Sequence, residues 1–253
     1  MRRIFLLIFS VIATGNCIGQ ASVKDSVLRF PMLSLSYAYQ VPGGTIAKRF
    51  GPNSNIGASL IYKNRKNWMA GFEGTFIFSE NIKETGIFDK IAIRTDIPGT
   101  IVDATGVPGE IHIFERGYTV NAIIGKIIPF KKGPNPNSGL MILVKGGFIE
   151  HKIRIEDIAH SVYPLTDEYK IGYDRLTQGW NISEFIGYQY FSNQRLVNFF
   201  IGFEFLQALT KSQRFDFDLM RKDNSTHHDF LNSIRVGWTL PLYKKAPKEF
   251  YYY

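Results

Sequence analysis

The residues of this sequence that could carry out chemistry are few, and their spacing does not suit catalysis. His160 and Ser161 form the one adjacent histidine–serine pair, but neighbouring residues in an extended segment point to opposite faces and are badly placed to share a proton. His227, His228 and Asp229 could bind a metal ion, yet a metal site needs three or four converging ligands, and no second cluster has suitable spacing. The sequence therefore predicts no catalytic residue, no metal site and no cofactor.

Six charged residues lie at positions that we expect to face the inside of a β-barrel. Three are acidic and three are basic, so their charges sum to zero. Because isolated charges are costly in a narrow and partly dry interior, we expect them to pair and to fill the lumen. A gated path for protons or ions is the alternative. The six residues are Glu73, Lys126, Lys145, Glu184, Glu204 and Arg235.

These charges lie within segments that have the periodicity of β-strands. In each segment, apolar or aromatic residues alternate with small or polar ones, which predicts strands with two different faces. The predicted strands are residues 33–40, 55–63, 68–79, 118–128, 140–150, 180–191, 196–209 and 230–242.

The connections between these segments alternate strictly between long and short. Residues 41–54, 80–117, 151–179 and 210–229 form the long connections, and residues 64–67, 129–138 and 192–195 form the short ones. This alternation is typical of transmembrane barrels, which have short periplasmic turns and long extracellular loops. The sheet must also close, because lipid cannot hydrate an open edge. The sequence therefore predicts an all-β fold, an eight-stranded antiparallel transmembrane β-barrel.

The three tryptophans favour the membrane barrel over a soluble, lipocalin-like barrel with inverted polarity. Trp68 and Trp238 lie toward the periplasmic ends of their predicted strands, and Trp180 lies near the outer end of its strand. Aromatic girdles at the two membrane interfaces have this placement. We expect the barrel to occupy residues 32–243, between a periplasmic N-terminal segment (20–31) and a periplasmic tail (244–253).

The first nineteen residues have the features of a signal peptide. Arg2 and Arg3 precede an apolar stretch at residues 4–13, and small residues allow cleavage after Gly19. Lipoprotein processing at Cys17 is the alternative, although the residues before it do not match a lipobox. The single cysteine excludes a disulfide framework. We therefore expect a mature protein exported to the outer membrane.

Two long loops and the C-terminal tail are the expected binding surfaces. In the second long loop, residues 90–94 and 110–115 predict a projecting β-hairpin, and residues 152–156 predict an extension of the barrel wall. Partner docking by the C-terminal aromatics is a hypothesis. The net charge is +8, and the basic residues are concentrated in the short turns and the tail, which predicts a basic periplasmic rim that includes Lys63. We expect this rim to attract anionic lipid headgroups or an acidic periplasmic partner, and not nucleic acid. The tail aromatics are Phe250, Tyr251, Tyr252 and Tyr253.

The sequence resembles the small outer-membrane β-barrel proteins of Bacteroidetes. The resemblance covers the leader end at Gly19 and Gln20, residues 43–51 (GGTIAKRFG), residues 172–176 (GYDRL), and the terminal residues 247–253. It also covers the last strand, which looks like the C-terminal signal read by the barrel-assembly machinery. The resemblance implies a non-enzymatic subunit of a larger outer-membrane machine for secretion, barrel assembly or nutrient uptake.

The expected function is therefore that of an accessory or structural subunit with outer-membrane lipids and protein partners. A lipid-modifying enzyme is the first alternative, and it requires a nucleophile and a base that converge at the outer rim. A small-ligand binder or narrow pore is the second, and it requires a lumen that ion pairs do not close.

Overall fold

The computed structural model describes residues 26–84, 86–92, 101–103, 106–158, 162–165, 169–193, 197–217 and 219–243. Eight antiparallel strands in this part of the chain pair edge to edge and close into one barrel. The barrel strands are β1 (Phe30–Gly44), β2 (Asn53–Lys63), β3 (Trp68–Ser79), β4 (Ile111–Pro129), β5 (Gly139–Asp157), β6 (Thr177–Phe191), β7 (Asn198–Ser212) and β10 (Thr226–Pro241). The other elements are helix α1 (Ile46–Arg49), 3-10 helices at Tyr163–Leu165 and Tyr169–Gly172, and a ribbon of β8 (Phe215–Asp216) and β9 (Arg221–Lys222).

The predicted fold class is confirmed, and each predicted strand corresponds to one strand of the barrel. Within the described residues, no helix is long and apolar enough to cross a membrane. Order around the barrel is β1–β10–β7–β6–β5–β4–β3–β2, so β1 and β10 close the sheet.

Strands β4 and β5 are longer than predicted because their pairing continues beyond the outer membrane interface. Their ladder runs from Pro129 and Gly139 at one end to Ile111 and Asp157 at the other. The prediction that residues 152–156 extend the barrel wall is confirmed. The predicted separate hairpin in the second long loop is wrong. Residues 90–92 form a turn and a bend, residues 93 and 94 lie outside the described residues, and residues 111–115 pair with β5 instead.

The register of the strands sets the width of the barrel. A row of paired residues that starts at Phe230 on β10 passes through all the other strands and returns to β10 at Leu240, ten residues further along. An eight-stranded barrel with this stagger has strands tilted by about 40° and an interior just wide enough for side chains. The barrel is therefore filled and narrow.

The lumen is divided into three layers along its length. An upper apolar layer lies toward the long loops and includes Ile77, Ile149 and Leu231. A lower apolar layer at the short-turn end includes Met69 and Phe185. Charged and polar side chains occupy the middle layer, and a second buried polar group that includes His151 and Asp229 lies among the upper apolar side chains. The sequence predicted only this polar layer, since the inward-facing apolar residues occupy positions that alternation alone assigns to either face.

Candidate functional site

The middle of the lumen contains a closed network of four charged side chains on four strands. Lys145 Nζ lies 2.7 and 3.0 Å from the two carboxylate oxygens of Glu73 and 2.9 Å from Glu204 Oε1. Arg235 pairs with Glu204 through its Nε, and its Nη1 lies 3.9 Å from Glu73 Oε2. All four side chains are at most 6% exposed. The network is therefore electrically neutral and dry.

Neutral polar side chains complete the hydrogen bonds of this network. Arg235 donates to Ser36 Oγ at 2.9 Å and to Asn55 Oδ1 at 3.3 Å. Ser183 Oγ donates to Glu204 Oε1 at 3.2 Å. Because both charged and neutral partners hold them, the four charged side chains are fixed in position.

Two of the six predicted lumen residues lie on the outside of the barrel, so their assignment to the lumen is wrong. Lys126 is exposed at the short-turn end of β4, with its Nζ 5.3 Å from the centre of the Trp68 ring. Glu184 is exposed in the middle of β6, on the same face as Ile182 and Ile186. Alternation was ambiguous here, because both strands carry apolar residues on both faces. The network consequently has two acids and two bases.

The apolar layers above and below seal the charged layer. A cavity of about 10 Å³ lies beneath the network, bordered by Met141, Phe185 and Phe200, and this is room for about one water molecule. Above it, Phe50 and Ile46 of the α1 segment fill the mouth of the barrel and are fully buried. Two apolar layers therefore interrupt the polar interior of the described lumen.

The turn between β4 and β5 closes the lower end of the barrel, a feature that sequence reasoning missed. Asn135 Nδ2 donates to Phe191 O at 2.6 Å. Asn137 Oδ1 accepts from Leu28 N and from Lys63 Nζ, each at 2.9 Å. Lys63, expected on a basic rim, is fully buried. The spacing of Asn135 and Asn137 was the sequence signal for this closure, since asparagine side chains often form hydrogen bonds with the backbone of turns.

Replacing Asn137 with alanine should lower the free energy of unfolding by about 1–3 kcal/mol, because the Lys63 ammonium group loses a buried acceptor. Urea titration of the barrel in lipid vesicles, followed by tryptophan fluorescence, measures this loss. Lys132→Ala, an exposed site in the same turn, is the control and should change stability by less than about 0.5 kcal/mol. Equal effects of the two substitutions would show that the hydrogen bonds of Asn137 do not stabilise the closed lower end of the barrel.

The described histidines do not form a catalytic or metal-binding group. His151 Nε2 lies 3.2 Å from Asp229 Oδ2, and Thr210 Oγ1 donates to the same oxygen at 2.5 Å. Asp229 thus stands between the hydroxyl and the imidazole, and the imidazole cannot take the hydroxyl proton directly. His227 faces inward and His228 outward, as alternation along β10 requires. Among the described residues, no group of three potential ligands is close enough to hold a metal ion.

Residues 160 and 161 lie outside the described residues, so the structure does not place the adjacent histidine–serine pair. Residues 1–25 and 244–253 also lie outside them. This includes the predicted leader and all four tail aromatics, Phe250, Tyr251, Tyr252 and Tyr253.

Ion pairs join the long loops to one another above the membrane. Glu84 pairs with Arg49 at 3.5 Å and with Arg175 at 3.0 Å. Asp174 pairs with Arg214, and burial raises the pKa of the Asp174 carboxyl while the guanidinium opposes that rise. Segments 43–51 and 172–176, which carried the resemblance, therefore meet in one cap over the barrel. Their shared role is structural.

The cap carries a groove lined mainly by aromatic side chains. Its volume is about 450 Å³, and Tyr163, Tyr169 and Met220 form its most exposed edge. Tyr163 is 74% exposed and Met220 is 66% exposed. Tyr173 packs edge-on against Phe217 at the base of the groove, with 5.4 Å between ring centres. Exposed apolar side chains outside the membrane form a candidate binding surface.

The outer surface of the barrel is a band of exposed apolar side chains between two aromatic levels. Trp180 lies at the upper level, and Trp68 and Trp238 lie at the lower level; all three are exposed. With strands tilted by about 40°, the two levels are about 20–25 Å apart, the height of the apolar band of membrane barrels. The chain is a small outer-membrane-type β-barrel.

Several solved structures are similar to the barrel. The crystal structure of Neisserial surface protein A (NspA) is 9% identical with a TM-score of 0.43, and the match covers 84% of this chain and 97% of that chain. Ail, the attachment invasion locus protein of Yersinia pestis, is 11% identical with a TM-score of 0.41, and the match covers 84% and 99%. The N-terminal β-barrel domain of Pseudomonas aeruginosa OprF is 10% identical with a TM-score of 0.40, with coverage of 84% and 99%.

No protein-family model and no curated protein matches the sequence.

Proposed function

We propose that this barrel is a non-enzymatic outer-membrane protein of the Bacteroidetes type, exported by a cleaved leader, that serves as an accessory or structural subunit of a larger outer-membrane complex. The observation that carries the proposal is the aromatic groove on a rigid cap. Ion pairs such as Arg175–Glu84 hold that cap in place. A surface that is both apolar and held in one conformation loses little entropy when a protein partner binds.

The closed lumen supports a binding role over conduction. The charged layer and the two apolar layers fill the described interior, and a narrow pore would need a connected path of water. Asp229 separates the Thr210 hydroxyl from the His151 imidazole. These residues therefore provide no activated nucleophile for a lipid-modifying reaction. Both observations favour function at the surface of the barrel.

The chemistry of the groove favours a protein partner. Tyrosine, phenylalanine and methionine are enriched at protein interfaces, where they bury large areas. Lys90 lies beside the aromatic side chains and provides a positive edge. The lipid-facing band accounts separately for contact with outer-membrane lipids.

Purification from native outer membranes in a mild detergent tests the proposal. We expect a particle well above the mass of one chain, and we expect the double substitution Tyr163→Ala and Tyr169→Ala to release the partner. Ile158→Ala is the matched control, since Ile158 is exposed above the membrane but does not line the groove. Recovery of the wild-type barrel alone, with heat-modifiable migration intact, would contradict the proposal.

The C-terminal aromatics are the second proposed docking element. Deleting Phe250, Tyr251, Tyr252 and Tyr253 should release a co-purifying protein on the periplasmic side, because four aromatic residues after a proline have no expected place in the last strand. The barrel itself should migrate as before. Unchanged recovery of every partner would show that the tail does not dock one.

A further inference from the structure

One lipid-facing residue does not suit its surroundings. Glu184 is exposed on the outer face of β6, between Ile182 and Ile186 along the strand. Its paired neighbours on the adjacent strands are Val144 and Phe205. Among the described residues between the two aromatic levels, Glu184 is the one charged side chain on the outer surface, and it has no hydrogen bond or ion pair with another described residue. The structure therefore leaves this carboxyl group unsatisfied.

The depth of Glu184 makes this placement costly. Trp180 lies four residues above it on β6 and Tyr188 four residues below it, so Glu184 lies near the centre of the apolar band. Hydrocarbon supplies no hydrogen-bond partner, and an ionisable group at this depth generally marks a functional contact.

A second polar side chain lies on the same vertical line. Gln207 on β7 is exposed, is paired with Ile182, and likewise has no side-chain hydrogen bond with another described residue. Because the strands are tilted by about 40°, Gln207 lies about 8 Å above Glu184 along the membrane normal. Ile142 on β5 lies about 8 Å below Glu184 on the same line. This line crosses three neighbouring strands.

The symmetry of a membrane dimer matches this line. In a symmetric dimer of two copies inserted in the same orientation, the two-fold axis lies along the membrane normal, so residues of equal depth meet at the axis. A carboxyl group and a carboxamide can each donate and accept hydrogen bonds. Glu184 can therefore pair with the Glu184 of a second copy, and Gln207 with its own counterpart. A cationic partner would satisfy the carboxyl group but would not explain two stacked, self-complementary side chains.

We propose that the β5–β6–β7 face is a homodimer interface whose two-fold axis passes beside Glu184 and Gln207. This interface goes beyond the proposed docking of other proteins at the cap. Other exposed polar groups in the apolar band are consistent with this interface. The hydroxyl of Tyr37, at a similar depth on β1, is already bonded to Ser54 Oγ at 2.9 Å. Asn232 on β10 is also exposed and lies about 2 Å deeper than Gln207, but it is about 8 Å to the side of the proposed axis.

Cysteine crosslinking in native membranes tests the interface. In a chain carrying Cys17→Ser, the substitution Ile142→Cys places a thiol on the proposed axis. Leu35→Cys places a thiol at nearly the same depth on the opposite wall, since Leu35 is also exposed to lipid. A short bismaleimide should convert the Ile142→Cys barrel to a covalent dimer and leave the Leu35→Cys barrel monomeric. Equal yields at both positions, or a product with a different protein, would overturn the homodimer.

Substitutions of the polar pair test its role. Adding Glu184→Leu and Gln207→Leu to the Ile142→Cys chain should raise the dimer dissociation constant about tenfold. Two side-chain hydrogen bonds between transmembrane segments contribute roughly this factor. Glu184→Gln keeps a self-complementary group and should preserve the crosslinking yield. Heat-modifiable migration verifies folding of each variant. An unchanged yield in the doubly substituted barrel would show that these side chains do not hold the copies together.

Discussion

Replacing Lys145 with methionine should lower the free energy of unfolding by about 3–5 kcal/mol, which is the usual cost of leaving a buried charge unpaired. Lys145 is the nearest cation to Glu73 and also lies 2.9 Å from Glu204. Without it, Glu73 retains only the guanidinium of Arg235, at 3.9 Å. Urea titration in lipid vesicles, with tryptophan fluorescence and heat-modifiable migration as readouts, measures the loss.

The double substitution Glu73→Met and Lys145→Met is the control that isolates charge balance. It removes one acid and one base and leaves the Glu204–Arg235 pair intact. Because apolar side chains of similar volume often replace a buried ion pair at little cost, the double variant should regain most of the lost stability. If the double variant is less stable than the single variant, the network contributes through shape and packing and not through charge balance.

Replacing Phe50 with alanine should lower the free energy of unfolding by about 3–5 kcal/mol, the cost of a large cavity in a packed core. Phe50 is fully buried at the upper end of the lumen and packs edge-on against His151, with 5.8 Å between ring centres. Its amide also donates to Ile46 O at 2.9 Å, which ends helix α1. The substitution therefore loosens the apolar layer that covers the charged network. The same urea titration measures the effect.

Phe215→Ala is the matched control for Phe50→Ala. Phe215 is 47% exposed on the ribbon above the membrane, so its loss leaves no enclosed cavity and should cost about 1 kcal/mol or less. A loss at Phe50 no larger than that at Phe215 would mean that the upper layer collapses around the missing ring and does not depend on it.

The strand periodicity of this chain was sufficient to predict its architecture. Alternation along β7, where inward and outward residues follow one another without interruption, and the long–short order of the connections together require an antiparallel closed sheet, because a strand in lipid must pair on both edges. Trp68, Trp180 and Trp238 lie exposed near the strand ends to which the sequence assigned them, and their place at the membrane interface stays a prediction.

The contents and closure of the lumen depended on contacts between distant parts of the chain. Alternation could not assign a face where both faces of a strand carry apolar residues, which is why Lys126 and Glu184 were misplaced. It also could not show that Lys63 is buried, because its acceptor Asn137 lies 74 residues away. The cap depends in the same way on Arg175 and Glu84, which are 91 residues apart. Local periodicity specifies which residues share a face, whereas the register of eight closed strands decides which of them meet.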